Sequence, residues 1–326
     1  MLAFILRRVV QSALVMAVVT FIAFGLFNFT GDPVAFMTGQ NATTEDRQRL
    51  RAELGLDQPF YVQFARFAGN AVQGDFGLSL RQARPVSVLL KERLPATLEL
   101  AVAAALLAVL VGIPLGVYTA LRRTSWLSHV LLAGSLLGVS LPTFLIGILL
   151  ILVFAVQLGW LPSFGRGTTV AFGWWTTGLL STSGLKSLIL PTVTLSLIQM
   201  TLIMRLVRSE MLEVLRTDYI KFARARGLTD RSIHFGHALK NTLVPVMTII
   251  GLQLGAIIAF AIVTETVFQW PGMGLLFIQS VYFADIPVMA AYLCFIALVF
   301  VIINLIVDLL YYAVDPRLRI ERAAVA

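Results

Sequence analysis

The amino-acid sequence predicts an all-α, polytopic membrane protein with six transmembrane helices and a partly helical outer loop. Three observations carry this. Of 326 residues, 58% are hydrophobic and only 13% are charged, about half the roughly 25% expected of a soluble domain. Long apolar runs recur, each sufficient to cross a bilayer core of roughly 30 Å. Lys and Arg concentrate in alternate connecting segments, as the positive-inside rule requires.

The spans are expected at Val9–Phe29, Thr97–Ala120, Leu127–Gln157, Leu188–Val207, Val244–Phe268 and Val288–Ala313. Arg7 and Arg8 precede the first. That run is too long for a typical signal-peptide core and lacks a small-residue cleavage site, so it reads as an uncleaved span with its N-terminus in the cytoplasm. The third is overlong and contains Pro142, which predicts a kink or a tilt. The fourth begins around Pro191, near enough to its start to be tolerated. No inverted pair of broken helices is evident.

Arg122 and Arg123 follow the second span, and Arg317, Arg319 and Arg322 follow the sixth. Between spans four and five lie Arg208, Arg216, Lys221, Arg224, Arg226, Arg231 and Lys240. The short outer loops hold only Arg166 and Lys186, so both termini are expected inside. The first outer loop, 30–96, carries mixed charge, but loops beyond about 60 residues translocate largely regardless of charge. Within it, TTEDRQRLRAEL has a Thr cap and an acidic first turn and predicts a helix. QPFYVQFARFAGNAV is amphipathic and suits a helix on the bilayer surface or on the outer mouth.

The net charge of +8 is accounted for by the inner segments. The basic residues lack interleaved aromatics, which argues against nucleic-acid binding. The single cysteine, Cys294, cannot form a disulfide within the chain and reads as a small core or lipid-facing residue.

The most informative stretch is the inner segment 208–244. Asp218 can cap a short helix running through Ala223 and Ala225, and Gly227 can stop it. Thr229 and Asp230 can start a second short helix leading to Pro245. Two short helices joined at a Gly suit a docking element, with small residues allowing close approach and Arg and Lys as a rim. From spacing alone, an inner loop that connects spans and binds anionic lipid is an equal reading.

Resemblance separates these readings. FARARG at 222–227 resembles the EAA loop of ATP-binding-cassette (ABC) importer permeases, with Ala223 and Gly227 at matching positions and the acidic residue replaced. ARARGL and HALKNTLVP, within Ala223–Pro245, resemble the pattern of the dipeptide/oligopeptide/nickel permease family. LGLDQPFYVQF, GDFGLS, RLPATLEL, TETVFQWPGMG and NLIVDLLYYAVDPRLR resemble that family's first-type subunit, in order along the chain. NAVQGDFGLS and LGWLP are also similar to its glutathione-type member.

The resemblance implies one permease domain over 1–326 with a type I ABC importer fold, in a bacterial inner membrane. It implies a second homologous permease subunit, two ATPase subunits that bind ATP and Mg, and an outer substrate-binding protein, with peptides as cargo and nickel chelates or sugars as alternatives. No cofactor is expected in this chain itself, and it carries no G-x-x-x-x-G-K-[ST] phosphate loop. The expected ATPase-coupling residues are Asp218, Tyr219, Ala223, Ala225, Arg226, Gly227, Leu228, His237, Asn241 and Pro245.

Glu99, Glu265 and Asp308 are the acids within the apolar runs. Their positions near span ends favour interfacial anchoring. Glu265 is the exception singled out for function, because it precedes the turn containing Trp270, Pro271 and Gly272, an expected path or gate element. His234 and His237 are three apart but have no further ligand nearby, so packing within the docking segment is favoured over metal. An ion-coupled transporter would need charged or broken-helix sites at mid-membrane. A membrane enzyme would need a nucleophile beside a base. Neither constellation is visible in the sequence.

Overall fold

The computed structural model describes residues 2–29, 34, 43–53 and 57–314. Its helices are α1 (Leu2–Phe29), α2 (Thr44–Glu53), α3 (Phe60–Val72), α4 (Val86–Leu121), α5 (Trp126–Ser140), α6 (Thr143–Leu150), α7 (Thr182–Val214), α8 (Asp218–Ala225), α9 (Leu239–Val267), α10 (Met273–Tyr282) and α11 (Ile286–Val314). Wide π-helical turns at Ile151–Gln157 and Ser232–Ala238 extend α6 and lead into α9. A small hairpin pairs β1 (Val170–Phe172) with β2 (Trp175–Thr177) around Gly173, which adopts φ 60°.

Four helices are long and apolar enough to cross a membrane, and up to six spans result if each of two bent helix pairs counts as one. The first bent pair, Trp126–Ser140 with Thr143–Gln157, turns by 111°. The break falls at Pro142, where the sequence predicted a kink or a tilt, and the bend is larger than a kink. Pro142 is extended (φ −58°, ψ 137°). It offers no N–H, and its ring excludes the helical carbonyl four residues earlier. The second pair, Ser232–Gly251 with Gln253–Val267, bends by 43°. Two apolar helix pairs are therefore bent.

Helix boundaries also move. α4 begins at Val86, eleven residues before the expected second span. α7 begins at Thr182, where the Ser181 hydroxyl accepts the Gly184 N–H at 2.9 Å. Pro191 therefore lies inside the helix. Pro245 likewise lies inside α9 and does not end the helix before it. A helix turn tolerates proline when packed neighbours and side chains absorb the freed carbonyl. The connection between the last two spans holds α10, which had been read as a short loop.

The chain divides into two compact units. The first comprises the residues up to Ala96, Ala171–Thr176 and Pro271–Val301. Here α1 and α3 pack through rings. Phe24 lies 5.0, 5.5 and 5.7 Å from Phe60, Phe64 and Phe67 (centroids). Phe60, Phe64 and Phe67 recur at helical spacing, so one face of α3 meets α1. The predicted amphipathic helix is present, and its aromatic face packs on a helix of its own chain. Cys294 is buried with Ala23 and Ala290, within the core as expected. Asp285, 2% exposed, accepts the Ser79 hydroxyl and the Leu80 N–H (3.0 Å).

The second unit comprises Thr97–Val170, Thr177–Trp270 and the chain from Ile302. α4 and α7 approach closely because Gly112 and Gly116 leave room. A Cβ on Gly116 would sit 2.6 Å from Val207 and 2.8 Å from the Met204 carbonyl oxygen. This is the small-xxx-small spacing that lets membrane helices meet where hydrophobic burial gives no driving force. Gly251 on α9 does the same for Val307 on α11. The Arg208 guanidinium donates to the Thr119 carbonyl at 3.3 Å, satisfying one of the last carbonyls of α4.

Candidate functional site

Two places in the second unit bring the singled-out residues together. The first is the segment from Thr217 to Pro245. Thr217 flanks α8 with extended backbone (φ −67°, ψ 153°), so Asp218 is the first helical residue. This corrects the expectation that Asp218 caps the helix. Its carboxylate instead faces solvent and takes Lys221 at 2.8 Å, while placing negative charge at the helix N-terminus.

α8 ends as the sequence dictates. Gly227 adopts φ 77°, which a residue with a Cβ adopts only under strain. Its N–H donates to Arg224 O at 2.9 Å, and the Leu228 N–H to Ala223 O at 3.3 Å. That pair of bonds is a Schellman closure. The chain then turns into the π-helical run that enters α9.

The segment is anchored by Ile220, Ala223, Ile233 and Ala238, all buried in one cluster with Val207, Met211 and Val246, with Leu228 packed against it. Ala223 thus faces inward and is not available for close approach by a partner; Ala225 remains exposed. A polar bridge closes the other side. Asn241 Nδ2 donates to the Tyr219 hydroxyl at 2.6 Å, and that hydroxyl donates to the His237 carbonyl at 3.4 Å. His237 is exposed and His234 half-buried. Among the described residues no group of three or more His, Cys, Asp or Glu could hold a metal.

What α8 and the following turn present outward is aromatic and basic. Phe222 is 64% exposed, Phe235 55% and Tyr219 40%, and the Arg226 guanidinium lies 5.8 Å from the Phe222 ring. Large exposed rings beside Arg are typical of the anchoring residues of protein interfaces.

The second place lies at the opposite ends of α7 and α9. Glu265 is fully buried and accepts the Thr97 hydroxyl at 2.6 Å. Its backbone carbonyl receives the Trp270 N–H at 2.8 Å. Trp270 is itself 1% exposed; Pro271, half-buried, and Gly272, buried and extended at the start of α10, belong to the first unit. Glu265 therefore faces protein here.

Two residues along α4 from Thr97, on a different face of the helix, Glu99 is buried and paired. Arg166 Nη2 donates to Glu99 Oε2 at 2.6 Å, and the Gly178 N–H approaches the same oxygen at 3.4 Å. Glu99 is thus engaged by groups of its own chain. Asp308 lies on α11, but its side chain falls outside the described residues.

Arg166 is the participant that sequence reasoning passed over. Its signal was its isolation as the one basic residue between Leu158 and Ser181. Nothing in sequence order links it to an acid 67 residues earlier. Gly112 and Gly116 were also missed, although their spacing is legible.

Residues 112–320 match the family described as binding-protein-dependent transport system inner membrane components, and residues 1–101 match its N-terminal companion. The chain belongs to this family. The permease is 36% identical over 332 residues to the dipeptide transport system permease protein DppB of Alkalihalophilus pseudofirmus, covering 98% of this chain and 100% of that protein. It is 38% identical over 341 residues to DppB of Escherichia coli K12, covering 98% and 99%. It is 38% identical over 320 residues to the oligopeptide transport system permease protein AppB of Bacillus subtilis, covering 98% and 99%.

A solved structure of the MetNI methionine ABC transporter, described as inward facing, superposes on the permease with a TM-score of 0.54 at 20% identity. It covers 70% of this chain and 96% of that chain. At that identity the likeness concerns fold alone, which is that of the membrane subunit of an ABC importer. The protein is a multi-pass membrane permease component of a binding-protein-dependent transport system.

Proposed function

We propose that the permease forms one half of the translocation path of an ATP-driven importer of di- or oligopeptides. The observation that carries this is the agreement of end-to-end relatives, whose names specify dipeptide or oligopeptide transport, with a short helix that exposes Tyr219, Phe222 and Arg226. In this reading a second, homologous permease chain completes the path. Two ATPase subunits bind ATP and Mg, and a binding protein delivers cargo from outside. Both termini lie in the cytoplasm, and 30–96 forms the large outer loop. ATP chemistry resides in the partner subunits, and this chain supplies none.

Within this frame α8 and the π-helical turn are the docking element. Tyr219, Phe222 and Arg226 face the ATPase, while Ile220, Ala223, Ile233 and Ala238 tie the element to α7 and α9. Because the element is welded to those two helices by a buried apolar cluster, displacement of α8 would carry both. This is the two-state coupling that an ATP-driven gate requires.

The test is reconstitution in proteoliposomes with the partner permease, ATPases and binding protein. ATP inside and binding protein outside should together drive uptake of a labelled dipeptide. Uptake driven equally well by an ion gradient without ATP would contradict the proposal.

A further inference from the structure

The buried polar contacts at the far ends of α7 and α9 are more than the fold requires. Glu99 and Arg166 side chains are 5% and 6% exposed. Removing two charges from water costs so much that a buried pair rarely stabilises a protein beyond an apolar pair of equal size. This pair is also imperfectly satisfied: Glu99 Oε1 has no hydrogen-bond partner among the described residues, a costly state for a carboxylate oxygen.

The contacts join three otherwise separate segments. Glu99 and Thr97 stand on α4. Arg166, Gly165 and Gly178 belong to the stretch between α6 and α7, where Gly165 N–H also donates to Phe268 O at 2.9 Å. Glu265, Phe268 and Trp270 close the end of α9. Directly after it Gln269 holds φ 48°, a left-handed conformation that favours glycine and that a side chain rarely adopts. Such strain persists only where surroundings impose it.

These groups stand at one end of α9 while the docking element stands at the other, roughly 40 Å away along a 29-residue helix. α9 cannot shift at this end relative to α4 without parting Thr97 from Glu265. α4 cannot shift relative to the 158–181 stretch without parting Glu99 from Arg166.

We infer that Glu99–Arg166 and Thr97–Glu265 together form a polar latch that holds this end of the path closed and must open in each transport cycle. Arg166 and Glu99 are positioning residues for the gate, acting through α4 and α9. This deepens the importer reading and rests on it.

The test uses the complete complex in proteoliposomes. With Thr97→Cys and Glu265→Cys in a Cys294→Ser background, bridging the two thiols with a short thiosulfonate reagent should cut ATP-driven dipeptide uptake by roughly tenfold or more, and reductant should restore it. A bridged complex that transports at the rate of its reduced form overturns the latch. Independently, Glu99→Gln and Arg166→Gln should each raise ATP hydrolysis in the absence of binding protein several-fold, since a weakened latch opens unprompted. If a single variant fails to assemble, the double Glu99→Gln/Arg166→Gln removes both charges together and should show the same rise. Unchanged unstimulated hydrolysis in assembled variants overturns the proposal. If the unmodified complex shows no ATP-coupled uptake at all, it is the importer reading that fails.

Discussion

The two ends of α7 and α9 are held together by different chemistry. At the Thr217–Pro245 end, a short helix and a π-helical turn sit on Ile220, Ile233, Val207, Met211 and Val246, a mainly apolar cluster with no buried ion pair among the described residues. At the other end, Phe268 and Trp270 are also buried, and the side-chain contacts Thr97–Glu265 and Glu99–Arg166 are polar and buried among them. Apolar packing is non-directional and survives small displacements, so it suits an element that moves as one piece with its helices. Hydrogen bonds and ion pairs weaken steeply with distance and angle, so they suit a junction with discrete made and broken states. The contrast assigns rigid transmission to one end and switching to the other.

The sharpest way to break the contrast is to disturb the frame both ends share. Gly116→Ile places a branched side chain against Val207 and the Met204 carbonyl. Upward of about 3 kcal/mol is expected, because backbone cannot yield as a side-chain tip can. The readout is loss of the chain from the membrane fraction or of its thermal stability in detergent. Ile233→Ala should cost about 2–4 kcal/mol through the cavity left under the docking element. It should release ATPase subunits before it affects the latch, measured by limited proteolysis of the two regions. Thr97→Val removes the hydroxyl that serves Glu265, at about 2 kcal/mol, and should loosen the opposite end alone. Tyr219→Phe is the mildest change. It deletes the bridge to Asn241 and His237 on an exposed surface and should cost about 1 kcal/mol or less, seen as a small shift in the melting of the assembled complex.

Much of the architecture was legible in the residues. Apolar runs located the four helices long enough to cross a membrane and both bent pairs among the described residues, and Gly227 announced the end of α8 because its left-handed conformation strains other residues. The aromatic helix at Phe60–Val72 followed from its periodicity. The failures have physical causes. Proline reads as a boundary in sequence, yet Pro191 and Pro245 sit inside helices, which membrane helices tolerate where packing absorbs the freed carbonyl. Pro142 did more than expected because the chain turns there by 111°.

At the site, residue types were visible but their facing was not. Ala223 and Phe222 are adjacent, and only the packed structure shows that the first is core and the second surface. Glu99 was visible as an acid in an apolar run. Its partner Arg166 was not, since the pairing depends on a long-range fold contact with no local pattern.

The central claim is that α8 couples this permease to ATPase subunits through its exposed rings. It is tested most directly by co-purifying the reconstituted complex with Phe222→Asp, an exposed position whose change leaves the buried cluster intact. The account predicts that the two permease chains still purify together while the ATPase subunits are lost and ATP-driven peptide uptake falls to background. Full ATPase retention with unchanged uptake would contradict it.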